Sequence, residues 1–311
     1  MKPVYMINGF LDSGKTEFIV YTLSQQYFQI RGKTLLVLCE EGEIEYDPEL
    51  LRKSKTEVAV IEDEAGFTAD ALMELDKQYK PERIIIEFNG MWNPKNVKLP
   101  WFWTLEQQIT TINAATFPMY YTNMKSLVAE QARNSDLIIF NRCDGIQDLN
   151  VFKRNLKAVN QKADIVFEDS NGEINEIFEE DLPYKLDEDP IDLTTNEKYG
   201  IWYLDTFDHL ERYDGKRITF IAQVAKPEQI KKGFFVPGRM AMTCCAEDMT
   251  FLGYACQYDK IDALTPKQWV KVTARVKCQY WEDYEGEGPV LYAESVEPVK
   301  APKDEIISFT A

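Results

Sequence analysis

One stretch near the start of the chain restricts its fold more than any other: Gly9-Phe10-Leu11-Asp12-Ser13-Gly14-Lys15-Thr16. It reads GxxxxGKT directly after the apolar run Val4-Tyr5-Met6-Ile7, which is the order strand, glycine loop, helix. In such a loop the glycines let backbone N–H groups turn inward around phosphate oxygens. The Lys supplies a point charge and the Thr hydroxyl can hold Mg²⁺. A helix expected over residues 15–29 adds the positive end of its dipole. Gly9, Asp12, Ser13, Gly14, Lys15 and Thr16 are therefore expected to cradle a nucleoside triphosphate, with Lys15 on a solvent-open loop.

With 311 residues, the chain can hold two domains, each with its own core. No apolar run approaches the ~20 residues of a membrane span. The first strand begins almost at Met1, so no secretory leader is expected and the protein is expected in the cytoplasm. A formal net charge of -17 argues against nucleic acid as the main partner, because phosphate backbones are held by clustered Lys and Arg. The six cysteines are expected as reduced thiols. The single histidine, His209, excludes a His-rich metal site or a Ser-His-Asp triad within one chain.

Up to about residue 180, short β-rich runs at 4–7, 34–38, 58–61, 83–86, 109–112 and 136–140 alternate with helical spacing at 69–80, 120–132 and 149–159. Strands of this kind are buried on both faces, so a mostly parallel α/β sheet of the P-loop NTPase class is expected over 1–182. Residues 183–197 are acidic and proline-punctuated and read as a linker. Beyond them, runs at 217–225, 239–245, 251–258, 269–277 and 290–296 predict a small all-β barrel over 198–311, OB-like in type.

Other segments fit a guanine nucleotide. Asn141-Arg142-Cys143-Asp144 follows an apolar strand. An Asn and an Asp three apart can read guanine, the carboxylate accepting from the N1–H and exocyclic amine that adenine does not present. Arg142 can stack on the base. Glu87 ends the run Ile84-Ile85-Ile86 and is placed near Mg²⁺ or the attacking water, while Gly90 lets the backbone approach a γ-phosphate. Five carboxylates follow the second strand, between Glu40 and Asp47. They either hold a divalent ion beside the nucleotide, Glu40 with Thr16 and Glu87, or decorate a loop.

In this order the motifs resemble the CobW family of GTPases, relatives of metallochaperones that load nickel or cobalt enzymes. The resemblance covers roughly residues 1–180. It implies GTP and Mg²⁺ as ligands, slow GTP hydrolysis with Lys15 and Glu87 as catalytic residues, and handling of Zn²⁺ or another transition metal. Three departures stand out. Asp12 replaces a glycine, Arg142 replaces a lysine, and the family's C-x-C-C motif is absent from Val60-Ile61-Glu62-Asp63-Glu64-Ala65-Gly66-Phe67, so metal transfer through that motif is not carried over. The C-terminal part, with Arg239 and Thr243-Cys244-Cys245-Ala246, resembles the C-terminal domain of YcgQ-type proteins, partners of a permease-like membrane protein.

Cys244 and Cys245 are candidate metal ligands, which Cys256 and Cys278, on strands expected to be neighbours, can complete. The alternative is that these thiols are core hydrophobes. Arg239 is a candidate ion-pair partner of Glu247 or Asp248. Two rivals to the switch-or-chaperone reading stay open. One is a regulatory module that docks on a permease without binding metal, and the other is a small-molecule kinase using Asp12 or Glu87 as base. A client metalloprotein and a second copy of the chain are further candidate partners.

Overall fold

Strand β1 (Lys2–Asn8) is the central strand of the first half of the molecule, and its alternation explains the layering. Val4 and Met6 face one side, in a cluster with Leu35, Ile84, Ile86 and Leu72. Ile7 faces the other, against Ile19, Leu23, Leu36 and Ile85. Burial on both faces is why these strands lack polar alternation. The computed structural model describes residues 1–40, 45–147, 149–174, 182–243 and 248–308. Contacts divide the chain into two units, Met1–Ile177 and Phe178–Ala311.

In the first unit, α1 (Lys15–Ser24), β2 (Thr34–Leu38), α2 (Pro48–Lys53), β3 (Thr56–Val60), α3 (Ala69–Tyr79) and β4 (Arg83–Glu87) follow β1. Then come β5 (Trp103–Asn113), α4 (Phe117–Asn123), α5 (Lys125–Arg133), β6 (Leu137–Asn141), α6 (Leu149–Lys157), β7 (Asp164–Asp169) and β8 (Gly172–Glu173). The sheet order is β3-β2-β4-β1-β5-β6-β7-β8. Every pairing is parallel except β7 with β8. The first turn after β1, the end of β4 and the end of β6 therefore share one edge of the sheet, where ligands of open α/β sheets bind.

Two helices differ from the sequence pattern. α1 stops at Ser24 because Gln25 is extended (φ -78°, ψ 135°), and Phe28 beyond it lies under the Arg83 guanidinium at 3.7 Å. The single helix expected over 120–132 is two, α4 and α5, broken where Met124 leaves the helical region (φ -134°, ψ 36°). That break lets Phe117 pack on Phe140 and Phe152 while Val128, Ala129 and Ala132 are buried from α5.

The second unit contains β9 (Ile191–Leu193), α7 (Asn196–Asp208), β10 (Arg217–Ala225), β11 (Phe234–Met242), β12 (Met249–Gly253), β13 (Cys256–Gln257), β14 (Trp269–Trp281), β15 (Gly286–Pro298) and β16 (Ile307–Ser308). Pairings run β10–β11–β13–β15–β14 and back to β10, a closed five-stranded ring. Numbered along the chain, its order is 1-2-3-5-4, with the β13–β15 pair parallel. This is the OB-like barrel that the run of short strands predicts. β9, β12 and β16 add to its edges.

The run over 251–258 is two strands, because the chain changes partner after Gly253. β12 pairs with the far half of β11, and β13 pairs with Phe234 and Phe235. α7 lies where the sequence reads as β. Its Thr195 cap accepts from Lys198 N–H, and Tyr199, Trp202 and Tyr203 at i, i+3 and i+4 are buried in the barrel core. The acidic stretch read as a linker carries β9 and the buried Tyr184, both part of that core.

Candidate functional site

The loop after β1 is built on residues in left-handed backbone. Asp12 has φ 58° and Gly14 φ 96°. Among non-glycine residues, Asp and Asn tolerate this region best, so Asp12 keeps the turn that a glycine would otherwise make. Gly14 has no such substitute, since a Cβ there would lie 2.5 Å from Asn141 Nδ2. Gly90 is fixed by proximity: a Cβ would lie 2.2 Å from the Gly9 carbonyl oxygen. Ser13 Oγ and Thr111 Oγ1 share a hydrogen bond of 2.9 Å beneath the loop.

Lys15 is not on an open surface. It is 4% exposed, which corrects the expectation for this side chain. Its Nζ donates to the carbonyls of Gly9 and Phe10 at 2.8 and 2.9 Å and to Glu40 Oε2 at 2.6 Å. An ammonium buried this far needs all its donors paired. The Glu40 carboxylate, just past β2, supplies the anion.

Beside it, Thr16 Oγ1 donates to Glu87 Oε1 at 2.6 Å, and Tyr46 OH donates to Glu87 Oε2 at 2.5 Å. Glu87 is 4% exposed at the end of β4, and Thr16 is buried at the start of α1. Hydroxyl and carboxylate oxygens in this arrangement are the hard donor set that suits Mg²⁺. Burial, with the Glu87 charge second, raises the Tyr46 phenol well above its ordinary pKa, so Tyr46 stays a donor. The Cys39 thiol, 1% exposed, is pushed up to about 12 by burial first and Glu87 second, so it is no thiolate.

At the end of β6, Asn141 Nδ2 donates to the Ser13 carbonyl at 2.7 Å, tying this strand end to the phosphate loop. Its Oδ1 is buried with no hydrogen-bond partner among the described residues. Arg142 is directed at the loop as well: Nη1 donates to Asp12 O at 2.5 Å and Nη2 to Glu17 Oε1 at 3.2 Å. Asp144 is exposed and accepts from Ser170 Oγ at 2.6 Å and Ser170 N–H at 3.2 Å. These bonds hold its carboxyl below the usual carboxylate range. A cavity of about 620 Å³ opens between Gly14, Phe18, Tyr21, Asn141, Asp144 and Ser170. Its volume lies within the ~300–1,000 Å³ typical of small-molecule sites.

The residues 9–16, Glu40, Glu87, Gly90, Asn141, Arg142 and Asp144 thus gather on one edge of the sheet. Sequence reasoning missed Tyr46, Thr111 and Ser170. Tyr46 precedes the Asp47-Pro48 helix start and is the aromatic residue within an acidic run, which is a readable signal. Ser170 lies 26 residues from Asp144, and no local pattern marks it.

Cys244 and Cys245 lie outside the described residues. Cys256 and Cys278 are not on neighbouring strands: β15 runs between them, Cys256 opposite Leu291 and Cys278 opposite Pro289. Burial raises both thiols, Cys278 to about 11. Among the described residues, no group of three or more His, Cys, Asp and Glu side chains is placed to hold a metal ion. Among the described residues, Arg239 pairs with neither of the acids expected for it. Its Nη2 donates to Asn196 Oδ1 and to the Asp304 carbonyl, and Asp248 accepts instead from the Thr243 hydroxyl. Glu247 lies outside the described residues.

No helix among the described residues is long and apolar enough to cross a membrane. The curated proteins contain no match to this chain. Among solved structures, zinc-bound YjiA GTPase from E. coli is 20% identical, with 56% of this chain and 59% of that chain covered at a TM-score of 0.42. This chain thus spans less than two thirds of that protein. The hydrogenase maturation factor HypB from Archaeoglobus fulgidus is 19% identical, covering 55% and 82% at 0.41. HypB from Helicobacter pylori, in complex with nickel, is 17% identical, covering 54% and 80% at 0.35. Residues 170–307 match the DUF1980 C-terminal domain. Residues 3–167 match the CobW/HypB/UreG nucleotide-binding domain, and the chain belongs to that family.

Proposed function

We propose that this protein is a GTP-binding and slowly GTP-hydrolysing switch of CobW type whose cargo is a metal centre. The observation that carries the reading is the buried lysine. Lys15 is held at the bottom of a glycine loop by the Glu40 carboxylate, in a pocket it shares with Thr16 and Glu87, and Gly14, Glu17 and Arg142 line both that pocket and the cavity beside Asn141 and Asp144. The backbone of residues 9–16 would receive the phosphates, with Lys15 exchanging Glu40 for β- and γ-phosphate oxygens. Thr16 and Glu87 would hold Mg²⁺, which when bound neutralises charge on those oxygens. Asn141 fixes the strand end to the loop, Asp144 would accept from guanine, and Arg142 adds bonds from that strand end to Asp12 and Glu17. Gly90, in backbone contact range of Gly9, is placed to follow the γ-phosphate.

The family membership supports nucleotide binding and the likeness to metallochaperones supports the cargo. The proposed role of the barrel is docking, on a client metalloprotein or, through its resemblance to YcgQ-type proteins, on a permease-like membrane partner. The reading places the protein in the cytoplasm. Phosphate release from GTP in buffer without added acceptor, alongside titration with Zn²⁺, Co²⁺ and Ni²⁺ with and without GTP, tests it. GTP turnover with metal binding that differs between the two nucleotide states is expected. Turnover only with a small-molecule acceptor would replace the switch by a kinase, and metal binding indifferent to GTP would remove the cargo.

A further inference from the structure

We propose that Tyr46 is a positioning residue for Glu87. Its hydroxyl fixes which carboxylate oxygen faces Thr16, and so sets the affinity for a divalent cation without setting the affinity for nucleotide. The proposal rests on the reading of Thr16 and Glu87 as the Mg²⁺ pair.

Glu87 is the acid of the site with both oxygens bonded to hydroxyls. Oε1 takes the Thr16 hydroxyl and Oε2 the Tyr46 phenol. A carboxylate at a strand end can rotate about its last side-chain bond, and a cation bound through one oxygen gains from a partner that stops that rotation. Tyr46 is itself held from two directions. Its ring packs, with Leu50 and Leu51, on the cluster of Ile7, Ile19, Leu36 and Ile85. Its backbone immediately precedes Asp47, the N-cap of α2, whose side chain accepts from Glu49 N–H at 3.0 Å. Tyr46 and Leu51 occupy the positions of a hydrophobic staple across that cap. A phenylalanine would satisfy the staple and the cluster equally. The hydroxyl adds the bond to Glu87, so packing alone does not account for a tyrosine here.

The test uses the full-length chain and two titrations with a fluorescent GDP. One measures nucleotide affinity in excess chelator, and the other the Mg²⁺ concentration that gives the half-maximal change in signal. For Tyr46→Phe the expected result is unchanged affinity in chelator and a Mg²⁺ midpoint raised about 10-fold or more, the usual cost of losing a partner of a metal ligand. Glu87→Gln should remove the Mg²⁺ response. A Tyr46→Phe midpoint equal to wild type overturns the proposal. Equal weakening of both titrations also overturns it, because the residue is then only packing. A wild-type chain that binds GDP with no response to Mg²⁺ would instead overturn the Thr16–Glu87 reading, and that result appears before any variant is made.

Discussion

Lys15 ties the glycine loop to the residue just past β2. Paired with Glu40 and the carbonyls of Gly9 and Phe10, it holds the loop together. Lys15→Ala should therefore cost stability as well as nucleotide binding, on the order of 1–3 kcal/mol from the unpaired partners left behind. Thermal melting without nucleotide checks this, and an unchanged melting temperature would contradict it. Gly90→Ala should also destabilise, by about 1–3 kcal/mol, because its Cβ meets the Gly9 backbone rather than a side chain that can move. Among the described residues, the Ser170 N–H and hydroxyl both donate to Asp144. Its two donors favour the charged carboxylate, so their contribution is present above the ordinary carboxylate pKa and is lost as pH falls through the lower value of Asp144. A carboxyl-detected NMR titration of Ser170→Ala should show the Asp144 pKa move up.

At the scale of elements, how much could be read depended on whether a segment's signal was local. β2 and β10 coincide with the runs Thr34-Leu35-Leu36-Val37-Leu38 and 217–225, because their β-branched and aliphatic residues are buried as the pattern implies. The phosphate loop was legible for the same reason: its chemistry is confined to contiguous residues. α7 was not, since Tyr199, Trp202 and Tyr203 are residues of high β propensity, and tertiary burial in the barrel decides the outcome. The pairing of Asp144 with Ser170, and of Glu87 with Tyr46, depends on chain crossings that no local pattern records. Trp202, fully buried among Tyr199, Tyr213, Phe220 and Tyr254, is the residue on which α7 is seated. Trp202→Ala should cost about 3–5 kcal/mol in a denaturant melt of the barrel.

For the molecule as a whole, the described cysteines of both units are protonated thiols. Cys39, Cys143 and Cys256 are buried and burial raises all of them, as it does half-buried Cys278. In native protein near neutral pH they should react slowly with a disulfide reagent. Rapid modification of Cys256, mapped by mass spectrometry, would contradict the barrel packing. In the proposed function, the edge of the sheet reads guanine through Asp144. The most direct measurement is the affinity of the full chain for GTP, ATP and xanthosine triphosphate, for wild type and for Asp144→Asn. The account predicts wild type binding GTP in preference to ATP, with the variant shifted toward xanthosine triphosphate because its amide donates where the carboxylate accepted. Wild-type protein that binds ATP as tightly as GTP, or a variant with unchanged preference, would contradict it.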